Sequence, residues 1–133
     1  MGEIYARLDG SNPIERDILL QRLETRRGDL QANLLSSFCR MGAAAPDDAK
    51  RRLLALWRKR ADVAAKRDGE RPSDDVPLYF TLARMGLKEQ AGPVEQRYPG
   101  PTFARIWTEV TPEFPDDLCT GSLNDIRNRF RTR

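Results

Sequence analysis

The apolar residues of this chain recur every three to four positions, and nowhere does a long apolar/polar alternation end in an Asn-Gly or Asp-Gly turn. A period near 3.6 keeps side chains on one stripe of a helix and cannot keep them on one face of a strand. The spacing therefore predicts an all-α fold, a compact bundle of four to five helices. A chain of 133 residues buries about two-thirds of its surface, which is enough for one core in a single domain spanning 1–133.

Punctuation by proline and glycine divides the chain. Ser11 or Asn12 caps a first helix with Pro13 at its first position, where the missing N–H costs nothing. Ile18, Leu19, Leu23, Leu30, Leu34, Phe38 and Met41 then share one broad face, so the run reads as one helix that bends or packs closely at Gly28 and ends at Gly42. A second helix opens at Pro46-Asp47-Asp48, where carboxylates meet the positive end of the dipole, and runs to about Arg67 over a stripe of Leu53, Leu54, Trp57, Ala61 and Ala64. The polar stretch 68–75 reads as the main surface loop. A third helix, capped by Asp74 or Asp75, buries Leu78, Leu82 and Met85 and meets Gly86; the sequence leaves its continuation through Leu87 to Gln90 open. Phe103, Ile106, Trp107 and Val110 mark a fourth helix stopped by Pro112, and Ser122 to Asp125 form a capping box for a short last one. The tripeptide Arg-Met-Gly ends an apolar run at Gly42 and again at Gly86, which reads as two helix ends with the same cap, not as a repeat.

The net charge of +3 conceals a segregated distribution. Residues 1–49 sum to −2, 50–67 to +7, 68–124 to −5 and 125–133 to +3. On the second helix, Arg51, Arg52, Arg58, Lys59 and Lys66 fall in one arc opposite Leu53 and Trp57, with Asp62 inside the arc. Arg127, Arg129 and Arg131 extend the positive charge into a basic C-terminal tail at 125–133. Two readings fit the arc: a solvated face in an arginine-rich chain, and a face that binds an anionic partner. The arginine bias itself, 19 of 23 cations, suits phosphate forks and also follows from a GC-rich coding sequence.

Composition removes much chemistry. The chain has no histidine, which excludes Ser-His-Asp and Cys-His triads and imidazole zinc sites. Phosphate-binding glycine loops and the GxSxG elbow are missing from the sequence. The pairs Asp47-Asp48, Asp74-Asp75 and Asp116-Asp117 each lie beside a proline before a helix, and capping accounts for them better than metal binding does. Cys39 and Cys119, without a CxxC spacing, read as reduced core thiols of a cytoplasmic protein. Trp57, Phe103 and Trp107 fall on apolar stripes, whereas Tyr79 and Tyr98 flank turns and read as the more exposed aromatics. The long connection between the last two helices does not fit a helix-turn-helix.

These features lead to the expectation of a non-catalytic accessory protein. It would contact nucleic-acid phosphates, DNA or RNA, through Arg51, Arg52, Arg58, Lys59, Lys66, Arg127, Arg129 and Arg131, within a larger nucleoprotein assembly. No cofactor, catalytic residue, metal ligand, small-molecule substrate or membrane contact is expected. The alternative is an adaptor, regulator or inhibitor, of phage or plasmid type, that docks its basic helix on an acidic protein surface.

Overall fold

The computed structural model describes residues 8–25, 32–65, 76–92, 101–114 and 119. Among them are six α-helices and no strand: α1 (Pro13–Thr25), α2 (Ala32–Met41), α3 (Asp47–Ala65), α4 (Val76–Arg84), α5 (Lys88–Ala91) and α6 (Pro101–Glu109), with a 3-10 turn at Gly42–Ala44. The all-α fold follows the helical period of the sequence. The loop at 68–75, the helix expected after Gly121, the tail at 125–133, Gly28 and Leu30 lie outside the described residues.

Asn12 is the cap of α1: its Oδ1 accepts from the N–H groups of Ile14 and Glu15 at 3.0 and 3.1 Å, so two donors that the helix leaves orphaned are satisfied. The first apolar run, read as one helix, is two. Splitting it changes the phase of the buried stripe: Leu20 and Leu35 are in the core, while Ile18 is 45% exposed and Ile14 75%. One continuous wheel cannot hold both helices once the chain turns between them, and each then presents its own face.

Helix α4 is the axis of the molecule. Every side chain from Pro77 to Arg84 is buried, although the sequence reads as an amphipathic helix with Tyr79 toward solvent. Tyr79 is instead 3% exposed, with its ring 5.2 Å from that of Trp57 and 4.7 Å, edge-on, from that of Trp107. A helix of nine residues surrounded by α2, α3, α5 and the 3-10 turn has no solvent side, so its polar groups find partners inside. The Thr81 hydroxyl donates to the carbonyl of Pro77 at 2.8 Å. Arg84, 2% exposed, donates Nε–H to the carbonyl of Cys39 at 2.8 Å and an Nη1–H to the carbonyl of Phe114. Cys39 belongs to the last turn of α2, where carbonyls lack helical partners and the dipole is negative, so a buried guanidinium is matched there in both hydrogen bonding and charge.

The two Arg-Met-Gly segments end as the sequence requires. Gly42 and Gly86 have φ of +56° and +84°. At Gly86 the N–H of Leu87 reaches the carbonyl of Leu82 at 2.9 Å and that of Gly86 reaches Ala83 at 3.0 Å, a Schellman closure. The two sites differ in space. A methyl at Gly42 would lie 3.3 Å from the Arg84 carbonyl and 3.5 Å from that of Pro112, whereas one at Gly86 would meet nothing within 4 Å. Gly86→Ala is therefore expected to cost about 1 kcal/mol from φ alone. Gly42→Ala should cost about 2 kcal/mol or more, because backbone must also move. Equal losses in urea midpoint for the two variants would contradict this packing.

Cys39 and Cys119 are not reduced thiols. They form a disulfide across 80 positions, with Cα atoms 5.5 Å apart and both residues buried. The pairing is a product of the fold, which brings the end of α2 against chain that follows α6, and nothing in the spacing of the cysteines announces it.

Candidate anion-binding face

Helix α3 is the longest of the described helices, and its inner stripe of Ala49, Leu53, Leu56 and Trp57 is fixed in the core. The indole Nε1–H of Trp57 donates to the carbonyl of Ala91 at 2.8 Å, which ties the middle of α3 to the end of α5. With rotation about its axis set in this way, the arc of Arg51, Ala55, Arg58 and Lys59 faces outward, and all four are exposed.

The structure separates cations that the sequence groups together. Arg52 lies on the flank next to α1, where its Nε and Nη2 form a fork with the two carboxylate oxygens of Glu24, the Nε bond at 3.0 Å, and its Nη1 reaches Asp17 at 2.9 Å. The hydrogen bond to Glu24 raises the pKa of Arg52 most, burial works against it, and Asp17 adds to the rise. Its charge is thus spent on joining α3 to α1. Arg58 on the opposite flank donates Nη2–H to the carbonyl of Gln90 at 3.0 Å and still exposes the rest of its fork. Lys50 donates to the carbonyl of Ala43 at 2.8 Å, and Arg60 is buried. Arg51 and Lys59 take part in none of the salt bridges among the described residues. Lys66, Arg127, Arg129 and Arg131 lie outside the described residues, and the side chain of Asp62 is not among those described.

The N-terminal end of α3 is fixed by a second ion pair. Asp48 accepts from Nε–H of Arg16 at 3.0 Å. Burial pushes its carboxyl upward, but the hydrogen bond and charge of Arg16, with the N–H groups of Ala49 and of Asp48 itself, outweigh this and hold it below the usual value. A carboxylate whose pKa is lowered by folding contributes stability that is complete above the unfolded value near 4 and is lost as pH falls through the lower folded value. Asp48→Asn is expected to cost about 0.5–1 kcal/mol at pH 7, since the pair is partly solvated. It should also lessen the fall in urea midpoint below about pH 4. A variant with the same acid profile as the parent would assign that fall to other groups.

An open groove of about 440 Å³ lies between the α4–α5 turn and the end of α6, lined by Lys88, Glu89, Gln90 and Thr111 among others. Burial lowers the pKa of Lys88, whose ammonium donates to the carbonyl of Thr108 at 3.1 Å, and Glu89 beside it balances the charge. The groove therefore lacks the cationic surplus of the α3 face. No cluster of three or more potential metal ligands occurs among the described residues, and no helix there is long and apolar enough to cross a membrane. No family model, no curated protein and no solved structure matches this chain.

Proposed function

We propose that this chain is a non-catalytic helical accessory protein that grips nucleic-acid phosphates, without reading sequence, on the outer face of α3, as one subunit of a larger nucleoprotein assembly. The observation that carries the reading is the row of Arg51, Arg58 and Lys59: three exposed cations about two turns apart at most, on a helix held in rotation by Trp57 and on both flanks by Arg52 and Arg58. A row of cations on a helix already packed in place loses less backbone freedom on meeting a polyanion than one on a segment that must first fold. Arg52 enters this proposal as a positioning residue, because its guanidinium already serves Glu24 and Asp17. Lys66, Arg127, Arg129 and Arg131 would lengthen the grip. The reading needs no cofactor or small-molecule substrate and takes the cytoplasm as its compartment, although the Cys39–Cys119 disulfide is a feature more usual outside it.

The test is the salt dependence of binding to a labelled duplex. Neutralising three phosphates gives a log–log slope of about −2.7 between 50 and 200 mM salt from the α3 row alone, and more if the tail contributes. A flat dependence, or no binding at 50 mM, would refute the reading.

One observation favours a protein partner instead. Among the described residues, Ile14 and Ile18, one turn apart on α1, are the exposed large apolar ones, and α1 adjoins α3 through the Arg52 clamp. A partner that covered both would be retained at high salt and lost on Ile14→Asp with Ile18→Asp.

A further inference from the structure

We propose that the outer stripe of α1 is a self-association surface, on which a second copy of this chain packs antiparallel about Ile18, with Glu15 of each copy against Arg22 of the other. The inference goes beyond the phosphate reading and uses none of the outer row of α3. Helix α1 is apolar on two opposite sides: Leu19, Leu20 and Leu23 enter the core, while Ile14 and Ile18 are exposed on the other side. Steps of four and three residues place Ile14, Ile18, Gln21 and Thr25 on one line about three turns long, and all four are exposed. The line carries no charge, and its polar groups already have partners. The Gln21 amide donates to Asp17 at 2.9 Å, and the Thr25 hydroxyl donates to the carbonyl of Gln21 at 2.9 Å. Asp17 is held in turn by Arg52, which steadies the Gln21 side chain from α3. A partner that dries this stripe therefore leaves fewer polar atoms orphaned than one that dries an ordinary helix surface.

Charge selects the partner and its direction. Glu15 and Arg22 are about two turns apart and lie on one flank of the stripe, away from the side on which Asp17 meets Arg52. In an antiparallel pair with its two-fold axis between residues 18 and 19, like flanks adjoin and run in opposite directions. Glu15 of each copy then comes opposite Arg22 of the other, and both pairs are matched. A parallel pair would instead set Glu15 against Asp17, and would offer Arg22 the Glu24 carboxylate that Arg52 already holds. Both groups can take the added partner: a guanidinium has five donors, and a carboxylate has about four acceptor sites, of which one in Glu15 serves the N–H of Asp9 at 3.4 Å. A contact made by one helix of 13 residues is smaller than the standard interface of about 1,600 Å², so the dimer is weak and reversible and forms at high concentration.

The experiment is sedimentation equilibrium of the full chain, without nucleic acid, at concentrations up to about 1 mM. It compares the parent, Glu15→Arg, Arg22→Glu, an equimolar mixture of those two variants, and Ile18→Asp, each shown by circular dichroism to be folded. The parent is expected to approach twice the monomer mass. Glu15→Arg sets cations against Arg22 and Arg22→Glu sets carboxylates against Glu15, so each variant alone should associate at least about tenfold more weakly. The mixture should restore association, because each chain supplies the charge that the other lacks. Ile18→Asp, which places a carboxylate beside the two-fold axis, should abolish it. A parent that stays monomeric throughout would overturn the proposal and leave Ile14 and Ile18 to another partner or to solvent. Association that Ile18→Asp or the single charge variants do not weaken would overturn it as well, and so would a mixture that associates no better than its components. Every variant keeps the α3 row intact, so loss of self-association and loss of phosphate binding are separate results.

Discussion

Arg84→Met is expected to lower stability by about 2–4 kcal/mol, without a change in the slope of the urea transition. Methionine fills much of the space of the arginine stem, so the variant removes the hydrogen bonds and the charge with little loss of packing. The carbonyls of Cys39 and Phe114 would both be left without the guanidinium in a buried place, and each orphaned acceptor costs on the order of 1–3 kcal/mol, offset in part by relief from burying a cation. Arg84→Lys should recover only part of the loss. A single ammonium cannot reproduce a planar fork that spans two carbonyls on separate parts of the chain. The readouts are urea midpoints of the three proteins. A methionine variant within about 0.5 kcal/mol of the parent would mean that the ends of α2 and of the 111–114 turn are held by other contacts.

The fold was legible where local chemistry decides it, and Gly42 and Gly86 are the clearest case. Both sit in Arg-Met-Gly, both end an apolar helical run, and both adopt positive φ, because the need for a left-handed residue at a helix end is written in three adjacent letters. Asn12 and Pro13 announced the start of α1 for the same reason. Burial of α4 was not legible. Its sequence shows an apolar stripe, and only the arrival of neighbours on the other side buries Tyr79, Thr81 and Arg84, whose polar atoms then bond to carbonyls at the ends of other elements. The single wheel drawn through residues 13–41 put Ile18 inside, because its face was averaged over two helices; α1 taken alone buries Leu19, Leu20 and Leu23 and leaves Ile18 outside.

The candidate face was half legible. Charge density on residues 50–67 is visible in the sequence, but which cations are spent is not, since Asp17 and Glu24 belong to a helix some thirty positions away and reach Arg52 only in the folded chain. The same limit applies to the disulfide, whose partners are 80 positions apart.

Charge reversal on the outer row carries the largest expected effect on binding. Arg51→Glu, Arg58→Glu and Lys59→Glu together remove three counterion-releasing contacts, a loss on the order of a thousandfold at 50 mM salt, with the salt slope smaller by about 2.7. Stability should change little by comparison, because Arg51 and Lys59 are exposed and only Arg58 gives up a structural bond, to Gln90. Arg52→Ala supplies the opposite control. It breaks the clamp to Glu24 and Asp17 and is expected to cost about 1–2 kcal/mol of stability, while the slope stays close to that of the parent. The most direct measurement is fluorescence anisotropy of labelled single- and double-stranded DNA and RNA with these three proteins from 50 to 200 mM salt. A salt-steep affinity that collapses in the triple variant and persists in Arg52→Ala is the predicted result; equal binding by the parent and the triple variant, or none by the parent, would contradict the assignment of this face.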